Sequence, residues 1–185
     1  MVKLETTRLV IREYSLYDID RYFELFSNIQ AMYYLDDLRI YEADKAKTSI
    51  EEIIKGSLDE NRKIYRLAIV EKDSGDYIGE SGFIATRDGE GGRIAELGFF
   101  ILPQYWGKGY AYEATKKVID FAFKECNLHK LSGGCIKDNS ASERVMIKMG
   151  MRKEADFLKH IWHDGKWKDN LKYGLLKEDW QKSNL

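Results

Sequence analysis

The chain has 185 residues, 44% hydrophobic and 33% charged, which fits one globular domain with a sizeable core. Its 30 basic and 31 acidic side chains leave a formal net charge of −1, so bulk charge favours neither nucleic acid nor an anionic membrane. No apolar run approaches the roughly 20 residues of a membrane span, and Cys126 and Cys135 have neither disulfide-framework nor metal-ligand spacing.

The opening MVKLETTRLVIREY lacks the apolar core of a signal peptide, so a cytoplasmic location with reduced thiols is expected. Residues 4–14 alternate Leu9 and Ile11 against Arg8, Val10 and Arg12, which predicts a first strand. Residues 18–28 predict a helix with Ile19, Tyr22, Phe23 and Phe26 on one face. Residues 31–41 combine aromatic side chains with Asp36 and Asp37, and fit either a second helix or a loop over a site. Residues 42–61 carry Ala46, Ile50, Ile53, Ile54 and Leu58 on a helical stripe.

The period then changes. Residues 65–71 and 77–85 predict a hairpin about Ser74-Gly75-Asp76. Residues 94–102 form an apolar third strand that ends at Pro103, the only proline. The loop Gln104-Tyr105-Trp106-Gly107-Lys108-Gly109 follows, and then Ala111, Ala114, Val118, Phe121 and Ala122 recur at helical spacing. Residues 129–136 predict a strand and 141–149 a short helix. Residues 152–162 and 166–176 predict two closing strands, and the tail 177–185 is polar apart from Trp180. No linker, repeat or low-complexity segment interrupts residues 1–185, so a single domain is expected.

A strand, a glycine loop and a helix in succession make an anion cradle. The first helical turn has N–H groups without intrahelical acceptors and the positive end of the dipole, and glycines let the backbone approach closely. A plain surface turn is the alternative. No Gly-Lys-Ser/Thr follows, so the loop is not a Walker A, and Tyr112 stands where a dinucleotide fingerprint needs Gly or Ala. The loop does resemble Gln/Arg-x-x-Gly-x-Gly/Ala, the acetyl-CoA pyrophosphate loop of the GNAT superfamily of N-acetyltransferases. A second motif, Asn139-Ser140-Ala141-Ser142 and then Gly150-Met151, is similar to that family's segment after its fifth strand. Thr7-Arg8-Leu9, Ile78-Gly79-Glu80 and Tyr173-Gly174-Leu175 resemble the Rim-type subfamily, which acetylates N-termini of ribosomal proteins.

The resemblance implies an α/β (α+β) GNAT fold: a mixed, mostly antiparallel sheet of about seven strands with flanking helices. The family's fourth and fifth strands, here those of Ile94 and His129, would splay apart. Acetyl-CoA would be the co-substrate, with no metal. Cofactor binding would fall to the backbone of Phe99, Phe100 and Ile101, to Gln104, Gly107, Lys108, Gly109, Tyr110 and Ala111 in the loop, and to Asn139 and Ser142.

Transfer to an amine needs a held thioester, a deprotonated amine, an oxyanion donor and a protonated leaving thiolate. A backbone N–H of the Ile94 strand would serve the oxyanion. Glu96 between Ala95 and Leu97 is the candidate base, since apolar surroundings raise a carboxyl pKa; the alternative is a rim glutamate paired with Arg93 or a lysine. Glu80 is a second candidate, and His129, His160 and His163 are expected at the surface. Asn139 is either a helix cap or, if Ser140 and Glu143 form the capping box, a ligand of the pantetheine arm. Met146 stands where many family members carry a proton-donating Tyr; the Rim-type resemblance implies Ser142, one turn earlier on the same helix face, as the thiolate acid, the alternative being a first-turn serine bonding only backbone.

The expected function is acetyl transfer from acetyl-CoA to the N-terminal amine of a protein or peptide. The alternatives are a small amine acceptor (a polyamine, amino acid derivative or antibiotic) and a CoA-binding module without catalysis. A monomer or homodimer is expected, with no nucleic-acid or membrane partner.

Overall fold

Residues 4–14, expected as one strand, fold as a hairpin of β1 (Lys3–Glu5) and β2 (Leu9–Arg12). The Thr6 hydroxyl accepts the Leu9 N–H (2.9 Å) and the Thr6 N–H donates to the Leu9 carbonyl (3.0 Å), which closes the turn. This split makes eight strands rather than about seven. The computed structural model describes residues 1–183. After the hairpin come α1 (Ile19–Ser27), α2 (Ala43–Ser57), β3 (Ile64–Glu71), β4 (Tyr77–Arg87), β5 (Arg93–Ile101), α3 (Tyr110–Glu125) and β6 (Leu128–Ile136). Then follow α4 (Ser140–Lys148), β7 (Arg152–His163), β8 (Lys166–Leu176) and α5 (Lys177–Ser183). Strand order is β1-β2-β3-β4-β5-β6-β8-β7, an open α/β sheet in which the β5–β6 pair is parallel.

By internal contact the chain divides into two units, Met1–Ile84 with Gly98–Val118, and Ala85–Leu97 with Ile119–Leu185. In the first unit the strands β1 to β4 pair antiparallel in sequence. Helices α1 and α2 bury their apolar stripes there: Tyr22, Leu25, Phe26, Ala46 and Ile50 pack with Tyr14, Met32, Tyr77 and Leu102. Residues 31–41 form turns and one 3-10 turn (Asp36–Leu38), so the loop alternative is the one realised. Asp18, buried at the entry to α1, accepts both Arg12 guanidinium nitrogens (2.8 and 2.9 Å) and the Ser15 N–H (2.8 Å).

In the second unit β5 pairs with β6 from Arg93↔Leu128 to Glu96↔Ser132. The pairing occupies only the first half of each strand, as a splayed pair requires. β6 pairs with β8 through to Ile136↔Asn170. β7 lies at the sheet edge, and its register against β8 shifts twice, between Lys153 and Ala155 and between Phe157 and Ile161. The polar tail forms α5 because Trp180 anchors it: its indole N–H donates to Asp120 (2.8 Å) and its ring lies 5.3 Å from Phe123. The tail's last two residues lie outside the described ones. No helix among the described residues is long and apolar enough to cross a membrane.

Burial pushes the Asp18 carboxyl up, but the Arg12 and Ser15 bonds outweigh it and hold it below the ordinary 3.8. A lowered carboxyl stabilises the fold above its unfolded pKa and loses that effect as pH falls through its folded one. Asp18→Asn should therefore cost about 1.5–3 kcal/mol at neutral pH, as for hydrogen bonds to a charged group. Urea melts over a pH series should show wild type and variant beginning to converge as pH falls below 3.8, with convergence complete only below the lower folded-state pKa.

Candidate functional site

The glycine loop lies wholly in the first unit. β5 stops at Ile101, a 3-10 turn (Pro103–Tyr105) follows, and the chain passes through left-handed backbone at Gly107 (φ 75°) and Gly109 (φ 82°) before α3 begins at Tyr110. A Cβ on Gly107 would meet nothing within 4 Å, so what that position demands is the backbone conformation rather than space. The first bond of α3 runs from the Glu113 N–H to the Gly109 carbonyl (3.1 Å). The N–H groups of Tyr110 and Ala111 come before it and have no intrahelical acceptor. Open space, positive φ and first-turn N–H groups together fit a pyrophosphate.

The loop side chains divide by role. Gln104 and Lys108 are exposed, the first donating to Glu24 (3.3 Å) and the second lying 5.1 Å over the Tyr105 ring. Tyr110 is buried and its hydroxyl donates to Glu71, so only its backbone is left for a ligand. Ala111 is half-buried. Beneath the loop stands a cluster of Thr6, Arg8 and Glu113 that sequence reasoning missed, because Glu113 lies 107 and 105 positions from the other two.

The strand before the loop offers backbone on one edge. The Gly98 carbonyl accepts from Ser81 (3.3 Å), the Phe100 carbonyl faces Gly79 of β4, and the Leu102 N–H donates to Ile78 (2.9 Å). Successive residues of a strand point their backbone groups to opposite edges. Phe99 and Ile101 therefore face away from β4, and the Ile101 carbonyl already accepts the Trp106 indole N–H (2.6 Å). Of the three residues expected to pair with a pantetheine arm, Phe100 turns its carbonyl toward β4 and Ile101 gives its carbonyl to Trp106.

In the second unit, Glu96 departs from its expected apolar setting. Its sequence neighbours Ala95 and Leu97 are buried on the opposite face, as strand alternation dictates. Its own face holds Lys172, whose ammonium donates to Oε1 (2.7 Å), and Ser132, whose hydroxyl donates to Oε2 (3.0 Å). The lysine-paired alternative is the one observed. Asn139 is the cap of α4: its Oδ1 accepts the Ser142 N–H (3.1 Å). The box expected of Ser140 and Glu143 does not form, because the helix already includes Ser140. Ser140 accepts from Arg144 (3.1 Å), and Glu143 accepts the Tyr173 hydroxyl (2.6 Å).

Ser142 is half-buried and its N–H donates to Asn139, and nearby the Cys135 thiol donates to the Asn139 carbonyl (3.8 Å). Burial, with the charge of Glu143, pushes that thiol up to about 11. Burial and the bond to Glu143 push Tyr173 up to about 12. Met146 is buried and packs its sulfur under Gly133.

Glu80 proves to be enclosed rather than poised. Arg66 grips both oxygens (2.8 and 3.0 Å), Tyr14 donates to it (2.7 Å), and Tyr77 lies 2.9 Å beyond Tyr14. Burial first, and the charge of Glu80 next, raise both tyrosines well above 10.0. His129 and His160 are exposed and His163 is half-buried.

The sequence matches the acetyltransferase (GNAT) domain over residues 8–152. It is 32% identical over 177 residues to YnaD, an uncharacterized N-acetyltransferase of Bacillus subtilis strain 168, covering 96% of this chain and 98% of that protein. The fold matches a ribosomal-protein-S5-alanine acetyltransferase of Vibrio fischeri with a TM-score of 0.81 at 20% identity, over 97% of this chain and 99% of that one. It matches a spermidine N-acetyltransferase of Vibrio cholerae, solved with CoA and spermine, with a TM-score of 0.82 at 19% identity, over 95% and 99% of the two chains. At such identities the last two likenesses are of fold alone.

The observed cap sets a ranking for α4. Asn139→Ala should lower stability by about 0.5–2 kcal/mol in chemical denaturation, while Ser140→Ala, which removes only a surface contact, should cost less than about 0.5 kcal/mol.

Proposed function

The chain belongs to the GNAT family of acetyltransferases, and from that premise we propose that it moves the acetyl group of acetyl-CoA to the N-terminal amine of a protein or peptide. Transfer is direct, in a ternary complex, and residues 1–185 act as one acetyltransferase domain. The observation that carries this reading is the left-handed backbone at Gly107 and Gly109 immediately before α3. The pyrophosphate takes the loop and first-turn N–H groups from Gly107 to Ala111, with Lys108 as a nearby cation. The pantetheine arm pairs with the outward edge of Phe99 and with the N–H of Ile101, whose carbonyl is occupied by Trp106.

Glu96 accepts the amine's proton, directly or through water. Lys172 and Ser132 each occupy one direction on its oxygens, and a carboxylate has about four acceptor sites, so capacity remains. Ser142 donates a hydrogen bond to the leaving thiolate and relays a proton to it, its own being replaced from water, since Met146 has none to give. The Rim-type motifs favour a peptide acceptor. A small cationic amine is the second reading, favoured by the exposed Tyr33 and Tyr41 beside exposed Asp36 and Asp37.

Acetyl-CoA at a hundred times its Kd should stabilise the protein by about 2.7 kcal/mol. Gly109→Val should abolish the accompanying rise in melting temperature, and a variant that still binds normally removes the cradle. A panel of peptides and small amines with a thiol-release readout then separates the acceptors. Binding without turnover on any of them leaves a CoA-binding module.

Glu96→Gln should lower kcat/KM about 10²–10⁴-fold near neutral pH. The loss should shrink as pH rises, where the free amine forms unaided. A pH profile that overlays wild type removes Glu96 from proton transfer.

A further inference from the structure

α3 carries a carboxylate in its first turn, Glu113, where an acid suits the helix dipole but opposes an incoming anion. This carboxylate is saturated from behind. The Thr6 hydroxyl (2.6 Å) and the Arg8 N–H (3.0 Å) donate to Oε1, and the Arg8 guanidinium engages Oε2 through Nε (2.7 Å) and Nη2 (2.6 Å). The remaining guanidinium nitrogen, Nη1, donates to the carbonyl of Lys108 (3.1 Å), between the two left-handed glycines. The flat face of the guanidinium lies 4.4 Å over the Tyr110 ring. Burial pushes the Glu113 carboxyl up, but Thr6 and Arg8 together hold it below the ordinary 4.5.

One arginine thus touches the carbonyl in the middle of the loop, the first ring of the helix and the one first-turn carboxylate. A carbonyl held outward turns the next N–H to the opposite side of its peptide plane, so pinning the Lys108 carbonyl aims the Gly109 N–H away from Arg8. We propose that Arg8 is a positioning residue for acetyl-CoA: it cancels the charge of Glu113 and pins the Lys108 carbonyl, so that the loop receives the pyrophosphate with its N–H groups aimed and no opposing carboxylate. The inference rests on the reading of residues 104–111 as the pyrophosphate cradle. Arg8 acts from behind the loop and through Glu113; it is not assigned a contact with the phosphates.

The test compares wild type, Arg8→Met, Glu113→Gln and the double variant, with acetyl-CoA and with S-acetylpantetheine, which has the reacting thioester but no pyrophosphate. Arg8→Met should raise the Kd and KM for acetyl-CoA about 10–100-fold, the range of a lost interaction with a charged group. Its kcat should stay near wild type, and its kcat/KM for S-acetylpantetheine should not change. The double variant should bind acetyl-CoA about tenfold tighter than Arg8→Met alone, because removing the stranded charge relieves the repulsion.

Three results overturn the inference: unchanged affinity in Arg8→Met, a double variant as weak as Arg8→Met, or an equal loss with S-acetylpantetheine. The second would make Arg8 a direct phosphate ligand, and the third would mean general disorder of the site. Wild type that does not prefer acetyl-CoA to S-acetylpantetheine would instead sink the cradle reading itself, and the brace with it.

Discussion

The anion site depends on two peptide units being held in a conformation that most residues avoid. A non-glycine residue in the left-handed region costs roughly 1–2 kcal/mol, and here two such positions flank a single lysine. Gly107 turns the chain out of the 3-10 turn that ends β5, and Gly109 turns it into α3. Through them the chain passes from the 3-10 turn after β5 into the first turn of α3, whose N–H groups follow directly on Gly109.

The charges around the loop are arranged by partner rather than by number. Glu113 is consumed by Thr6 and Arg8, Glu71 by Tyr110 and Ser74 (2.8 Å), and Glu24 takes an amide from Gln104. Deeper in the same unit Glu80, Arg66, Tyr14 and Tyr77 form a chain whose polar members satisfy one another. Both tyrosines stay protonated far above neutral pH, so the chain holds a fixed pattern of donors and acceptors. A closed network of this kind specifies one packing of strands and helices.

How much of this was legible depended on the range of the interaction. The glycine loop, the alternation of β5 and the helical stripes of α1 to α3 are local, and residues within a few positions of one another declare them. Glu96 was picked out by local reasoning and then misjudged by it. Ala95 and Leu97 are its neighbours in sequence, but on a strand they face the other way, and Ser132 and Lys172 come from two other strands. Asn139 and Ser140 differ by one residue, within the uncertainty of any helix boundary, yet that residue decides which side chain caps α4. The Arg8–Glu113 pair and the anchoring of α5 by Trp180 join segments that share no periodicity, and no pattern in the sequence announces them.

β7 is the last strand of the sheet, and a free edge of twelve residues is normally a template on which another chain can add a strand. Two register shifts and the left-handed Lys159 (φ 48°) break that edge into pieces of a few residues each. No straight run of unpaired backbone is long enough for a foreign strand to zip along it. The exposed Phe157, Trp162 and Trp167 beside it can therefore stay on the surface without turning the edge into a seed for fibrils.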